Sequence, residues 1–128
     1  MESDLIKEDI EIITKEDYIL VKPPAGVDFW ELFMTIGKLL PMPDYQEKND
    51  IWLFRDGSVS LNFSDLQKLK DFSRKNIPKQ AKGKKTAIVV STGFQRGLAE
   101  SFATVHEKHP REMRVFSDLK EAEEWVSE

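Results

Sequence analysis

The residues best placed for chemistry follow the apolar run Thr86-Ala87-Ile88-Val89-Val90, where the chain enters Ser91-Thr92-Gly93-Phe94-Gln95-Arg96-Gly97. A strand that runs through a glycine into a helix is a junction at which α/β proteins hold phosphates. The free amides and the dipole of the helix start attract anions there. Gly93 and Arg96 are the candidate anion contacts on this reading. The spacing excludes both phosphate motifs of defined mechanism. Gly93 and Gly97 are four apart rather than in a Gly-x-Gly-x-x-Gly array, and no Lys-Ser/Thr pair follows to complete a P-loop. Gly97 is instead expected to let its helix cross close to the sheet, where a side chain would clash.

Other reactive side chains are sparse. His106 and His109 are the only histidines and lie three apart, whereas the zincin pattern needs two histidines four apart on one helical face. Near a helix C-terminus, histidines interact well with unpaired carbonyls, so no metal is expected. With these as the only histidines and no cysteine in the chain, a nucleophile and base pair is also hard to assemble. The expectation is a protein that is not an enzyme and carries no cofactor. Ser64-Asp65-Leu66-Gln67 reads as a capping box in which the serine oxygen caps a backbone amide. Ser64, with Ser60 upstream, is also the candidate phospho-switch, since a helix N-terminus tolerates added negative charge. Arg74, Lys75, Lys79, Lys82, Lys84 and Lys85 form one locally basic segment. No aromatic platform is interleaved with it, so a single-strand nucleic-acid groove is not supported.

The elements that must position these residues belong to one domain. A chain of 128 residues, 40% hydrophobic and 33% charged, has the composition of a globular protein with a single core. A net charge of −4 gives no global drive toward nucleic acid or an anionic membrane. The absence of cysteine is compatible with a reducing compartment, and the acidic, polar start does not resemble a secretory signal. No apolar run approaches the roughly 18 residues of a membrane span. Cytoplasmic localisation without integral membrane association is therefore expected.

Ile10-Glu11-Ile12-Ile13 and Tyr18-Ile19-Leu20-Val21 are β-rich runs separated by a polar turn, which predicts an antiparallel opening pair. Pro23-Pro24-Ala25-Gly26 ends the second strand, and Asp28 stands where a cap favours a helix. That helix, about Val27 to Leu40, carries Phe29, Trp30, Leu32, Phe33, Met34, Ile36, Leu39 and Leu40, more apolar residues than one buried stripe requires. The excess must meet a further packing partner or a ligand. Pro41-Met42-Pro43-Asp44 is read as a break followed by a polar loop. Ile51-Trp52-Leu53-Phe54 and Thr86 to Val90 have the continuous apolar character of strands covered on both faces. Leu66, Leu69, Phe72 and Ile77 recur at helical spacing, as do Phe94, Leu98, Phe102 and Val105. Arg114-Val115-Phe116 is a short final strand, and Ser117-Asp118 caps a last helix with Leu119, Ala122 and Trp125 or Val126 inward. The expected order is β-β-α-β-α-β-α-β-α, an α/β fold with a mostly parallel sheet of about five strands, the first antiparallel, and four helices.

This order, with Lys85-Thr86-Ala87-Ile88-Val89-Val90, Gly97-Leu98-Ala99 and the C-terminal Arg114-Val115-Phe116-Ser117-Asp118-Leu119-Lys120-Glu121-Ala122-Glu123-Glu124-Trp125, resembles the SpoIIAA-like family of small STAS-related domains. The likeness extends over nearly the whole chain in element order and over its C-terminal third in residues. It implies a five-stranded sheet with helices mainly on one side and no established enzymatic activity. In the anti-sigma antagonists of that family a phosphorylatable serine opens the second helix within an Asp-Ser-Ser-Gly type motif. Ser64 occupies the equivalent helix start here, without the Ser-Gly pair. Together with the excess apolar side chains of the first helix, the resemblance leads to the expectation of a regulatory or protein-interaction module with a protein partner or a second copy, as a homodimer, whose partner surface includes the first two helices. The alternative is a carrier that binds a small lipophilic or anionic ligand between the first helix and the sheet. Trp30, Phe33, Met34 and Trp52 would line its pocket.

Overall fold

The structure, a computed structural model, describes residues 10–24, 26–54, 62–77, 83–90, 97, 100 and 111–128. Strands β1 (Glu11–Thr14) and β2 (Tyr18–Lys22) form the antiparallel pair, with Ile12 opposite Val21 and the Lys15 amide donating to the Tyr18 carbonyl at 2.9 Å across the turn. Helix α1 (Phe29–Leu39) and the short α2 (Pro43–Glu47) lead to β3 (Asn49–Leu53). Helix α3 (Phe63–Asn76) precedes β4 (Lys85–Val89), and β5 (Glu112–Phe116) precedes α4 (Leu119–Val126). The fold is α/β, with a five-stranded sheet in the order β1-β2-β3-β4-β5. β2 to β5 run parallel, and four helices are present among the described residues.

Strand order that advances in one direction fixes where the helices lie, because successive right-handed crossovers fall on the same face of the sheet. α1, α2 and α3 share one face, where Ile19, Val21, Leu39, Leu40 and Tyr45 form one buried cluster and Val27, Leu32 and Leu69 another. α4 lies on the opposite face, packing Ala122, Trp125 and Val126 against Tyr18, Leu20, Ile51, Ala87 and Val89. The two-residue period of the strands sends alternate side chains to the two layers. Trp52 therefore meets α1 and α3, while Ile51 beside it meets α4.

Hydrogen bonds tie α4 to the middle of the sheet. The Tyr18 hydroxyl donates to Glu123 Oε2 at 2.5 Å, and the Asn49 side-chain amide donates to the Val126 carbonyl at 2.6 Å. Burial, then the bond to Glu123, then the charges of Glu123 and Asp17 push the Tyr18 phenol up to about 12. Asp118 caps α4 as its sequence indicates, accepting from the Lys120 amide at 3.1 Å.

Three local expectations are corrected. The stretch read as a polar loop after Pro41 contains α2. Pro43 stands in its first turn, where its fixed φ suits a helix start and its missing N–H costs nothing, and buried Tyr45 anchors it. The cap of α3 is Asn62 rather than Ser64. The Asn62 side chain accepts from the Asp65 amide at 2.8 Å, and Asp65 Oδ2 accepts from the Asn62 amide at 3.2 Å. A capping box thus forms two residues upstream of the one read from Ser64 and Gln67. Gly97 and Glu100 are helical, and both are exposed. Among the described residues, which include the sheet strands, a Cβ built on Gly97 meets nothing within 4 Å, so close packing against the sheet is not the reason for this glycine.

Candidate functional site

α1 begins where the sequence directs it. Gly26 adopts φ +76°, a conformation that side-chain-bearing residues rarely take, and turns the chain after the Pro23-Pro24 pair. Asp28 then accepts from the Glu31 amide at 2.9 Å, and Glu31 Oε1 accepts from the Asp28 amide at 3.1 Å. This capping box sets the rotation of the helix. Leu32, Thr35 and Leu39 face inward and are buried, with the Thr35 hydroxyl donating to the Glu31 carbonyl at 2.7 Å.

The same rotation turns Trp30, Met34, Gly37, Lys38 and Pro41 outward as one stripe at helical spacing. Trp30 is 67% exposed and Met34 70% exposed, the two large apolar side chains left open among the described residues. Trp30 rests edge-on against Phe29 and Phe33, with ring centroids 5.1 and 5.9 Å apart, and Phe33 packs on Phe72 of α3 at 4.5 Å. The indole is thus held on an aromatic layer joining α1 to α3. The outward faces of α3 and α4 are different in kind. They carry Ser64, Gln67, Lys68, Asp71, Arg74 and Lys75 on α3, and Lys120, Glu121 and Glu124 on α4.

The four residues expected to line one pocket are divided between two layers. Trp52 lies beneath α1, half-buried among Leu32, Leu69 and Phe54, with its ring 6.5 Å from Phe54 and its indole N–H donating to Asp50 Oδ2 at 2.8 Å. Phe33 shares that inner cluster, whereas Trp30 and Met34 are on the outer side of the helix. The physical reason is that residues 30 and 34 are one turn apart on one face, and residue 33 is rotated toward α3. Ser64 is exposed in the first turn of α3, with the capping role taken by Asn62. Ser60, Gly93, Arg96, His106 and His109 lie outside the described residues.

A buried polar cluster that sequence reasoning missed crosses the N-terminal ends of β3, β4 and β5. The Arg111 Nη2 donates to Asp50 Oδ1 at 2.9 Å, and both side chains are 0% exposed. The Thr86 hydroxyl donates to the same Asp50 oxygen at 2.6 Å and accepts from Arg111 Nε at 2.9 Å. The guanidinium also donates to the carbonyls of Tyr45 at 3.1 Å, Lys48 at 2.9 Å and Lys85 at 3.3 Å, and lies over the Tyr45 ring at 4.3 Å. Burial and the Asp50 carboxylate raise the Tyr45 phenol well above its ordinary value, with Arg111 opposing. A signal for this cluster was present in the sequence. Asp50 directly precedes an apolar strand core, and Thr86, the second residue of the next strand, stands at the paired position. Ligands of open α/β sheets bind beyond the carboxyl ends of the strands. This network is at the other end, closed to water, and acts as a clamp between three strands and α2.

Among the described residues no group of three or more His, Cys, Asp or Glu side chains is placed to hold a metal ion. No described helix is long and apolar enough to cross a membrane. Comparison with protein-family models, with curated proteins and with solved structures gave no match for this chain.

Proposed function

We propose that this chain is a regulatory protein-interaction module of SpoIIAA-like type, without enzymatic activity, and that the outer face of α1 is its docking surface. The observation that carries this reading is the Trp30 and Met34 stripe, exposed on a helix that already buries Leu32, Thr35 and Leu39 on its other face. A solvent-facing helical stripe is ordinarily polar. Tryptophan is the residue type most enriched at binding hot spots, and methionine adapts to irregular partner surfaces. Because Phe29 and Phe33 hold the indole in place, docking on it sacrifices little side-chain freedom. Ser64, exposed in the first turn of α3, is where a phosphate would add negative charge to the helix that packs beside α1.

The test is affinity capture from an extract of the source cells, comparing wild type with a Trp30→Asp/Met34→Asp variant shown by circular dichroism to be folded. A partner retained in stoichiometric amount by wild type and weakened about 30-fold or more in the variant is expected, the scale of a hot-spot loss. A partner held equally by both proteins overturns the assignment of the surface. A small molecule of defined mass that co-purifies in native mass spectrometry overturns the module reading in favour of a carrier.

A further inference from the structure

We infer that the occupant of the α1 outer face is a second copy of this chain, packed antiparallel about a two-fold axis near Met34, with Trp30 of each protomer seated over Gly37 of the other. The inference rests on the reading of that face as a docking surface and names what docks there.

The first observation is Gly37. It lies in the last turn of α1, exposed, and an added Cβ would meet Phe72 of α3 at 3.8 Å, an ordinary van der Waals contact. Alanine would therefore fit within the protomer and would favour the helix, since glycine is among the poorest helix formers. Among the described residues nothing requires a glycine here. What a glycine provides on an outward helix face is close approach by another body.

The second observation is spacing. Trp30 and Gly37 are seven residues apart on the same outward stripe, a projection and a notch separated by about 10.5 Å of helix axis. An isologous interface places residue i on residue j and j on i. A two-fold axis midway between them, at the level of Phe33 and Met34, brings each Trp30 to the height of the opposite Gly37. A parallel pair would set tryptophan against tryptophan and glycine against glycine.

The third observation is charge. α1 carries Asp28 and Glu31 at its N-terminal end and Lys38 in its last turn. In the antiparallel arrangement Lys38 of one protomer comes level with the acidic end of the other, and the two helix dipoles oppose. In a parallel arrangement the two lysines would face each other. Shape and charge thus select the same orientation. A stripe of this length is small against the roughly 20–30 residues per side of a standard interface, so a concentration-dependent association is expected.

The test uses the purified chain alone. In light scattering across concentration, the mass is expected to rise from the 14.8 kDa of the chain toward twice that value. Gly37→Ala separates this arrangement from simple helix stability by opposite signs. It should raise the unfolding temperature of the dilute monomer by about 4 °C while shifting dimerisation to higher concentration. Since the protein has no cysteine, Met34→Cys should form a disulfide dimer across the two-fold axis far faster than Lys120→Cys, which lies on α4. A chain that stays monomeric to roughly millimolar concentration overturns the inference, as does a Gly37→Ala dimer as tight as wild type. Cross-linking no faster at residue 34 than at residue 120 also overturns it. If the purified chain is monomeric yet Trp30→Asp still loses a different protein from extract, this inference fails and the docking reading stands. If neither a dimer nor a partner is found, both fail.

Discussion

Replacing Arg111 with methionine gives a measurable account of the buried cluster. Arg111→Met keeps an apolar stem of similar length but leaves the Asp50 carboxylate at 0% exposure without its counter-charge. It also removes the donors to the carbonyls of Tyr45, Lys48 and Lys85. Breaking one partner out of a buried pair costs about 3–5 kcal/mol, because the remaining charge stays desolvated. For 128 residues the unfolding entropy is about 0.27 kcal/mol/K, so Tm should fall by about 11–19 °C. Urea unfolding followed by circular dichroism is the assay, since Trp52 donates to Asp50 and its fluorescence would report the site rather than the fold. The decisive comparison is Asp50→Asn in two backgrounds. In wild type it should destabilise, by leaving Arg111 as the unpaired charge. In Arg111→Met it should stabilise, by removing the carboxylate that has lost its partner. A loss below about 1 kcal/mol for Arg111→Met, or the same sign for Asp50→Asn in both backgrounds, would refute the account of the clamp.

The cap of α3 can be assigned by a pair of substitutions: Asn62→Ala should lower stability by about 1 kcal/mol in urea unfolding, whereas Ser64→Ala should change it by less than half of that. Equal losses at the two positions would return the cap to Ser64. The chain has two tyrosines, Tyr18 and Tyr45, both buried and both raised above the ordinary 10.0. For an acid whose folded pKa is raised, the folded state holds the proton more tightly. Its contribution to stability is therefore complete below about 10 and is lost as pH rises through the folded value of about 12 for Tyr18. Tyrosinate absorbance should accordingly appear together with unfolding rather than before it. Tyr18→Phe should flatten the loss of stability between those two values, and tyrosinate formed while circular dichroism is unchanged would contradict the burial argument.

Much of the architecture was legible because it rests on local patterns. The alternation of apolar runs with helical spacing, the Asp28 and Asp118 caps and the turn before Tyr18 all act within a few residues, and the five-stranded sheet follows from their order. The misreadings were also local, where two signals competed. Pro43 reads as a breaker although proline serves equally in a first helical turn, and both Asn62–Asp65 and Ser64–Gln67 have capping-box spacing, so the start of α3 at Phe63 is what gives the cap to Asn62.

The candidate site divides along the same line. From sequence alone, α1 carries more apolar residues than one stripe can bury, and Trp30 and Gly37 are seven residues apart. Which of those residues are left to solvent was decided by tertiary structure. The Asp28 capping box and the packing of Leu32 and Leu39 on the sheet fix the helix rotation, and that rotation turns Trp30 and Met34 outward and separates them from Trp52. The meeting of Asp50, Thr86 and Arg111 was equally a product of the fold. Sixty-one residues separate the aspartate from the arginine, and only parallel strand pairing brings both to the same end of the sheet. Propensity, periodicity and caps act along the chain, whereas desolvation, register and packing act between segments distant in it. The sequence therefore determined the elements and their order, and the tertiary structure decided which side chains became core, clamp or exposed surface.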